Sequence, residues 1–239
     1  MNFFYSTAVQ IKDYIHFYGY RPVKSFAIRI PATYTIHGID VSRWQERIDW
    51  QRVAKMRDNG IRLQFAFIKA TEGEKLVAPY FSRNWQLSRE NGLLRGAYHY
   101  FSPSVSASVQ ARLFLQTVDF SQGDFPAELD IRTGNYRQKN YASGKSVAKN
   151  GRKNGEKPII YSGAVFYHTN LAGYFNEYPW WVAHYYQRRP DNDGIAWRFW
   201  RLSDRGQVDG IDGPVDLMCL MARWRSCRHS LMGLKKRLK

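Results

Sequence analysis

The chain has 239 residues, a length that fits one α/β barrel or at most two small domains. Hydrophobic residues make up 44% and aromatics 16%, enough for a sizeable core and compatible with a cleft whose ring faces stack on sugars. The formal net charge is +16, which taken alone points to nucleic acid or another anionic partner. Residues 132–157, however, hold eight Lys/Arg against the single acid Glu156, and 217–239 hold seven with no acid, so the remaining 190 residues are nearly neutral. The basicity belongs to two segments and excludes an evenly basic nucleic-acid surface. Both cysteines, Cys219 and Cys227, lie in the second segment, so no disulfide framework is expected. No run of 18 apolar residues predicts a transmembrane helix. The N-terminus shows no basic stretch followed by an apolar one, so a standard signal peptide is not expected in this chain.

In chain order, residues 1–33 read as a stem or the remnant of a leader. A short apolar strand follows at Ile36–Ser42, then helical spacing of Ile48, Val53 and Met56 over Trp44–Asn59, closed by Gly60. Leu63–Ala70 reads as a strand, Pro79–Asn91 as a helix, Gly96–Phe101 as a strand, Ser104–Val118 as a helix and Pro126–Ile131 as a fourth strand. Beyond a Gly-, Asn- and Lys-rich stretch come strand-like Pro158–Ser162, Pro179–Tyr185, Ala196–Leu202 and Val215–Leu217. Alternating strands and helices imply parallel pairing with crossover helices. The second half has short connections and little helix. The expected fold is an irregular (β/α) TIM-like barrel with fewer helices around its second half, spanning 34–216, with 217–239 as a basic tail.

Active residues of such barrels sit at the C-terminal ends of the strands. Asp40, Glu72, Asp130 and Asp216 fall at strand ends, as do His99 and Tyr100. Several acids on one rim suit glycoside hydrolysis, which needs a proton donor at the leaving oxygen and a carboxylate near the developing positive centre. A strand-end Asp also serves commonly as a cap or turn residue, so no single acid decides the matter. His99 and His184 read as hydrogen-bonded strand histidines, and Lys69 as the partner of a rim acid. Trp180 and Trp181 are adjacent on a strand, so one faces the barrel interior and the other faces out.

The ordered motifs GIDVSRWQ, FAFIKATEG, NGLLRGAYHYF, ELDI, KPIIYSG, YPWWVAHY, FWRLSDRG and GIDGPVD are more specific than any one of them. Together they resemble the family-25 lysozymes over roughly residues 36–216. The resemblance implies an irregular barrel, a peptidoglycan substrate cut between N-acetylmuramic acid and N-acetylglucosamine, and no metal or organic cofactor. It implies catalytic positions at Asp40, Asp130 and Asp216, and substrate contacts at Tyr98, Tyr161 and Trp181, with Glu72 also at the rim. Asp130 matches the first residue of the family's D-x-E motif, whose glutamate is the expected general acid.

The position matching that glutamate is Arg132. Residues i and i+2 of a strand share a face about 6.5–7 Å apart, which is why D-x-E brings two carboxyls to one site. A guanidinium cannot donate the proton, and it would pair with Asp130 and hold it ionised. Glu128 lies on the same face one layer deeper. Ala78 stands where the family usually has an Asp, a lost cap. Arg132 also opens the 132–157 segment, which has no apolar stripe and reads as loop or disorder where the family has an amphipathic helix. Both basic segments read as products of a shifted reading frame. With free choice among synonymous codons, one added base turns residues 132–144 into EDRELSAKELRKR, and a shifted tail reads FNVFNGTVEELQAFVDG. Three functions are therefore weighed: a muramidase impaired at Arg132, a catalytically dead protein that still binds cell wall, and a basic nucleic-acid binder. The motif order favours the first and supports no nucleic-acid partner. A wall enzyme is expected outside the cytoplasm, in the periplasm, secreted or anchored by a leader that this chain lacks.

Overall fold

The computed structural model describes residues 20–24, 28–132, 144, 147–148, 156–187, 189–190 and 197–220. Eight strands close on one another: β3 (Ile36–Val41), β5 (Ile61–Glu72), β7 (Leu94–Tyr100), β8 (Glu128–Asp130), β9 (Ile159–Gly163), β10 (Trp180–Ala183), β11 (Trp197–Gly206) and β12 (Val215–Leu220). The circle runs β3–β12–β11–β10–β9–β8–β7–β5 and shuts through a β3–β5 pairing. Seven strands are parallel; β12 alone is antiparallel to both its neighbours. Short β4 (Arg57–Asp58) and β6 (Leu76–Val77) flank β5. Helices α1 (Trp50–Lys55), α2 (Phe81–Glu90) and α3 (Ala107–Thr117) surround the first half. Among the described elements of the second half, only the short helical turns Ala164–Phe166 and Tyr167–Leu171 stand out. This is the irregular barrel that the alternation of elements predicts.

Period-2 alternation along each strand sorts the apolar residues into two separate clusters. One lies between the barrel wall and the outer elements and includes Ile39, Ala66, Ile68, Leu129, Trp180 and Trp200. The other fills the lumen with Phe65, Phe67, Phe125, Trp181, Phe199 and Met218. Trp180 and Trp181 thus face opposite sides of the wall. Phe67 stacks on Trp181 at 4.9 Å and meets Phe199 edge-on at 5.1 Å. The rings need room: a Cβ on Gly38 would lie 2.5 Å from Phe65, and one on Gly96 2.2 Å from Phe67. The lumen is a packed core, so polar chemistry is confined to its mouth.

Four expectations are corrected. The helix expected over Trp44–Asn59 shrinks to Trp50–Lys55, because Asp49 caps it through the backbone N–H groups of Gln51 and Arg52. The stretch 1–33 is not wholly a stem: Tyr20–Val23 and Ile28–Pro31 form the hairpin β1–β2, whose Val23 and Ile30 are buried in the outer cluster. Residues 1–19 lie outside the described residues. The last strand does not stop at Leu217, and the barrel does not end at 216, since Met218–Leu220 also pair with Ile36–Gly38 of β3. Within 132–157, mostly outside the described residues, Gly144, Val147 and Ala148 are helical, and Val147 and Ala148 are buried in the outer cluster. Elsewhere, α2 begins without a side-chain cap, consistent with Ala78 at the turn before it. Among the described residues no helix is long and apolar enough to cross a membrane.

The tight ring contact sets the first prediction. Gly96→Ala should destabilise the fold by about 1–3 kcal/mol through overpacking against Phe67. Gly163→Ala, where a new Cβ meets nothing within 4 Å, should stay within about 0.5 kcal/mol of wild type. Denaturant unfolding of the two variants checks the contrast.

Candidate active site

The seven parallel strands present their C-terminal ends at one rim. Asp40 ends β3, Lys69 and Glu72 lie at the end of β5, Tyr98 and Tyr100 end β7, Asp130 ends β8, and Tyr161 lies on β9. Asp216 reaches this rim for a different reason than strand-end placement. It is the second residue of β12, and because that strand runs antiparallel, its N-terminal end arrives at the same rim. Asp216 pairs in register with Asp40. The candidate acids Asp40, Asp130 and Asp216 are thus brought to one mouth.

A feature missed in the sequence organises them. Arg201 of β11 is 7% exposed and contacts Asp40 at 3.4 Å, Asp216 directly, and the Tyr161 hydroxyl at 2.7 Å. Its signal was legible: Phe199 and Arg201 share the inward face of a strand whose other inward residues fill the lumen, so a charge there needs buried partners. Burial alone would lower the Arg201 pKa, but Tyr161 and Asp40 outweigh it and raise it. Burial raises the Asp40 carboxyl, and Arg201 opposes the rise.

Across the mouth, Arg132 grips Asp130 side-on, with Nε to Oδ1 at 2.8 Å and Nη2 to Oδ2 at 2.6 Å. Burial lifts the Asp130 carboxyl to about 6 against the pull of Arg132, so Asp130 is ionised at neutral pH. The guanidinium lies 5.0 Å from the Tyr161 ring and 5.4 Å from the Tyr100 ring, within cation–π range. One layer below, Glu128 is buried, and neither carboxyl oxygen has a hydrogen-bond partner among the described residues. Burial first, then Asp130 and Asp40, push its carboxyl well above the ordinary range, which favours the protonated form.

The other candidates divide. Tyr161 lines a cleft of about 580 Å³ together with Arg132, Thr169, Asn170, His184 and Tyr185. Tyr98 is buried at the mouth, and burial raises its hydroxyl pKa well above the usual value. Trp181 is 1% exposed and forms the floor, 4.5 Å from the Tyr161 ring centre. Glu72 pairs with Lys69 at 2.6 Å, the rim partner expected for that lysine. His99 is held by Thr71 at 2.8 Å and Gln110 at 3.1 Å, and burial takes its pKa down to about 4. It is a neutral packing residue.

Two predictions follow from these pairs. Arg201→Met leaves Asp40 and Asp216 without their shared cation and should cost about 3–5 kcal/mol, read by denaturant unfolding. Arg132→Gln removes the charge that favours ionised Asp130, so the Asp130 midpoint should rise above about 6. Carboxyl-carbon NMR titration measures it, and a fall would contradict the assignment. The folded carboxyl titrates above its unfolded value of 3.8. This group therefore favours the fold more as pH falls from about 6 towards 4.

Known proteins share this barrel fold. A family model described as "Glycosyl hydrolases family 25" matches residues 39–211. The uncharacterized protein YegX of Escherichia coli K12 is 83% identical over 244 residues, covering 99% of this chain and 88% of that one. Lysozyme M1 of Streptomyces globisporus is 30% identical over 199 residues, covering 76% of this chain and 66% of that one. A family 25 glycosyl hydrolase structure from Bacillus anthracis superposes with a TM-score of 0.75 at 26% identity, covering 84% of this chain and 95% of that one. A Streptomyces coelicolor lysozyme structure gives 0.71 at 28% identity, covering 85% and 99%. The chain belongs to glycosyl hydrolase family 25, a family of lysozyme-type glycoside hydrolases.

Proposed function

We propose that this chain binds peptidoglycan as a lysozyme-type muramidase does, and that its cleavage of the N-acetylmuramic acid–N-acetylglucosamine bond is impaired by Arg132. The observation that carries the reading is the bidentate Arg132–Asp130 pair. Asp130 lies where a carboxylate could assist the acetamido group of the substrate, with Asp40 and Asp216 beside it and Tyr98 and Tyr161 lining the approach. In the D-x-E pattern of family 25, the position two residues along, just past the end of β8 here, is where the proton donor belongs. A guanidinium there stays charged: burial alone would lower its pKa, but Asp130 and Tyr161 raise it above the ordinary value. Glu128 does not replace the missing acid, because it is buried one layer below the mouth beneath the Asp130–Arg132 pair. An enzyme of this kind meets its substrate outside the cytoplasm, and that is where we place it.

The same pair favours a second reading, a wall-binding protein that no longer cuts. The two readings differ in turnover, and one substitution separates both from a wholly different function. Positioned general acids contribute about 10²- to 10⁴-fold. Arg132→Glu should therefore raise the rate of turbidity loss of a cell-wall suspension by about 100-fold or more. A folded Arg132→Glu protein no faster than wild type would show that the acid is not the only defect. We further propose that the basic segments 132–157 and 217–239 arise from a shifted reading frame, the second narrowed to the residues after Leu220 because Leu217–Leu220 belong to β12. The gene sequence decides this, since no nearby insertion or deletion restoring the frames would sink it.

A further inference from the structure

Replacing a carboxylate by a guanidinium does more than remove a proton donor. It moves the charge of the mouth by two units towards positive, at the wall of the cleft where a sugar would lie. Arg132 is held there in a particular way. Asp130 takes Nε and one N–H of Nη2, the side-on edge of the planar fork. A guanidinium carries five N–H groups, so the end-on edge, Nη1 with the second N–H of Nη2, has no hydrogen-bond partner among the described residues. The side chain is 36% exposed and lines the cleft. Tyr161 and Tyr100 lie within cation–π range of the guanidinium, and Asp130 fixes its plane. It is preorganised for a second carboxylate on the opposite edge, the bidentate geometry for which arginine is suited.

The cleft is lined mainly by apolar surface, and Tyr161 supplies a ring face on which a sugar can stack. The Thr169 hydroxyl and the Asn170 amide already donate to the backbone carbonyls of Val165 and Phe166, which leaves Arg132 as the charged donor among the lining residues. No carboxylate is among the residues lining it. The buried Arg201 stands behind Tyr161 and Tyr185 at 5.7 and 5.6 Å from their ring centres. The nearby acids Asp40, Asp130 and Asp216 are each occupied by a guanidinium and so do not repel an incoming anion as free carboxylates would.

We propose that the Arg132 cleft selects a saccharide bearing a free carboxylate, accepted end-on by Arg132 while Asp130 holds it side-on. This rests on the glycan-binding reading above. On that reading the carboxylate is the lactyl group of N-acetylmuramic acid in glycan whose stem peptide has been removed. The preferred ligand is then denuded glycan rather than peptide-bearing wall, because an amide-linked lactyl group has no negative charge to offer.

The test uses one tetrasaccharide in two forms, alternating N-acetylglucosamine and N-acetylmuramic acid with free lactyl carboxyls, and the same molecule with those carboxyls converted to primary amides. Binding to the full chain is measured by calorimetry at pH 7. The free acid should bind about tenfold tighter or more, the size expected of a charged bidentate contact partly shielded from water. Raising the salt should shrink the difference. Arg132→Gln should bring the two affinities within about twofold, and Arg132→Lys, which keeps the charge but not the fork, should retain only part of the preference. Near-ultraviolet circular dichroism confirms that each variant is folded; the wild-type comparison stands without them. Equal binding of both forms by wild type overturns this proposal and leaves the glycan-binding function intact. Binding of neither form, together with no retention on purified wall, overturns the proposed function and this proposal with it.

Discussion

A closed barrel with an aromatic-filled lumen has one place to put charge, and that constraint shapes everything at the mouth of this protein. Phe65, Phe67, Phe125, Trp181 and Phe199 fill the lumen, and Glu128, one layer below the mouth, finds no hydrogen-bond partner among the described residues. Asp40 and Asp130 nevertheless sit at 5% and 2% exposure, where an unpaired carboxylate would be driven to its neutral form. Arg201 resolves half of the problem by serving Asp40, Asp216 and Tyr161 at once. Arg132 resolves the other half at Asp130. Breaking such a pair is costly because it strands a buried charge, even where the pair adds little over apolar packing. The ion pairs are thus conditions for placing acids here at all.

The same electrostatics shows why a glutamate at position 132 would make a competent donor. Asp130 is lifted to about 6 even with a guanidinium bonded to it. A carboxyl in place of that guanidinium would be more exposed than Asp130, but it would feel the repulsion of ionised Asp130. That repulsion raises a carboxyl's pKa, the direction general-acid work requires. Glu128 shows the field in an extreme form: buried and flanked by Asp130 and Asp40, it is pushed well up, but it lies too deep to meet substrate. The scaffold therefore retains an environment that would tune an acid while carrying a residue that cannot be one.

How much of this the sequence disclosed depends on how local each signal is. Parity along a strand is local, so the opposite facing of Trp180 and Trp181 is legible, though not which of them faces in, and so is the pairing of Lys69 with a rim acid, which is Glu72. The order of motifs carried the family. Strand direction is not local. Asp216 looked like a strand-end residue, and only the antiparallel pairing of β12 shows that it stands near a strand start and still reaches the rim. Arg201 was passed over because its partners lie on three other strands, far away in sequence. Helix α1 was overextended because apolar spacing continued through Ile48 and Met56, while the Asp49 cap set the true start. The burial of Tyr98 and Trp181, both expected as substrate contacts, is not legible in the sequence, since it depends on what closes over them.

The antiparallel closing strand has a consequence for the site itself. Asp216 and Asp40 are register partners, so their approach to the shared Arg201 depends on how β12 is held. It is held mainly by Leu217, Met218, Cys219 and Leu220, which pair with β3 on one side and β11 on the other. All four side chains are buried, and a Cβ on Gly206 would lie 2.4 Å from Leu217, so this register tolerates little adjustment. These four residues are the first of the C-terminal basic stretch, yet they are themselves apolar. Their hydrophobicity is what lets β12 keep alternating between lumen and outer cluster, with Met218 and Leu220 facing in and Leu217 and Cys219 facing out. The chain can therefore diverge after Leu220 without dismantling the mouth, whereas a charge at any of these four positions would open the seam that closes the barrel and separate the two carboxylates that Arg201 joins.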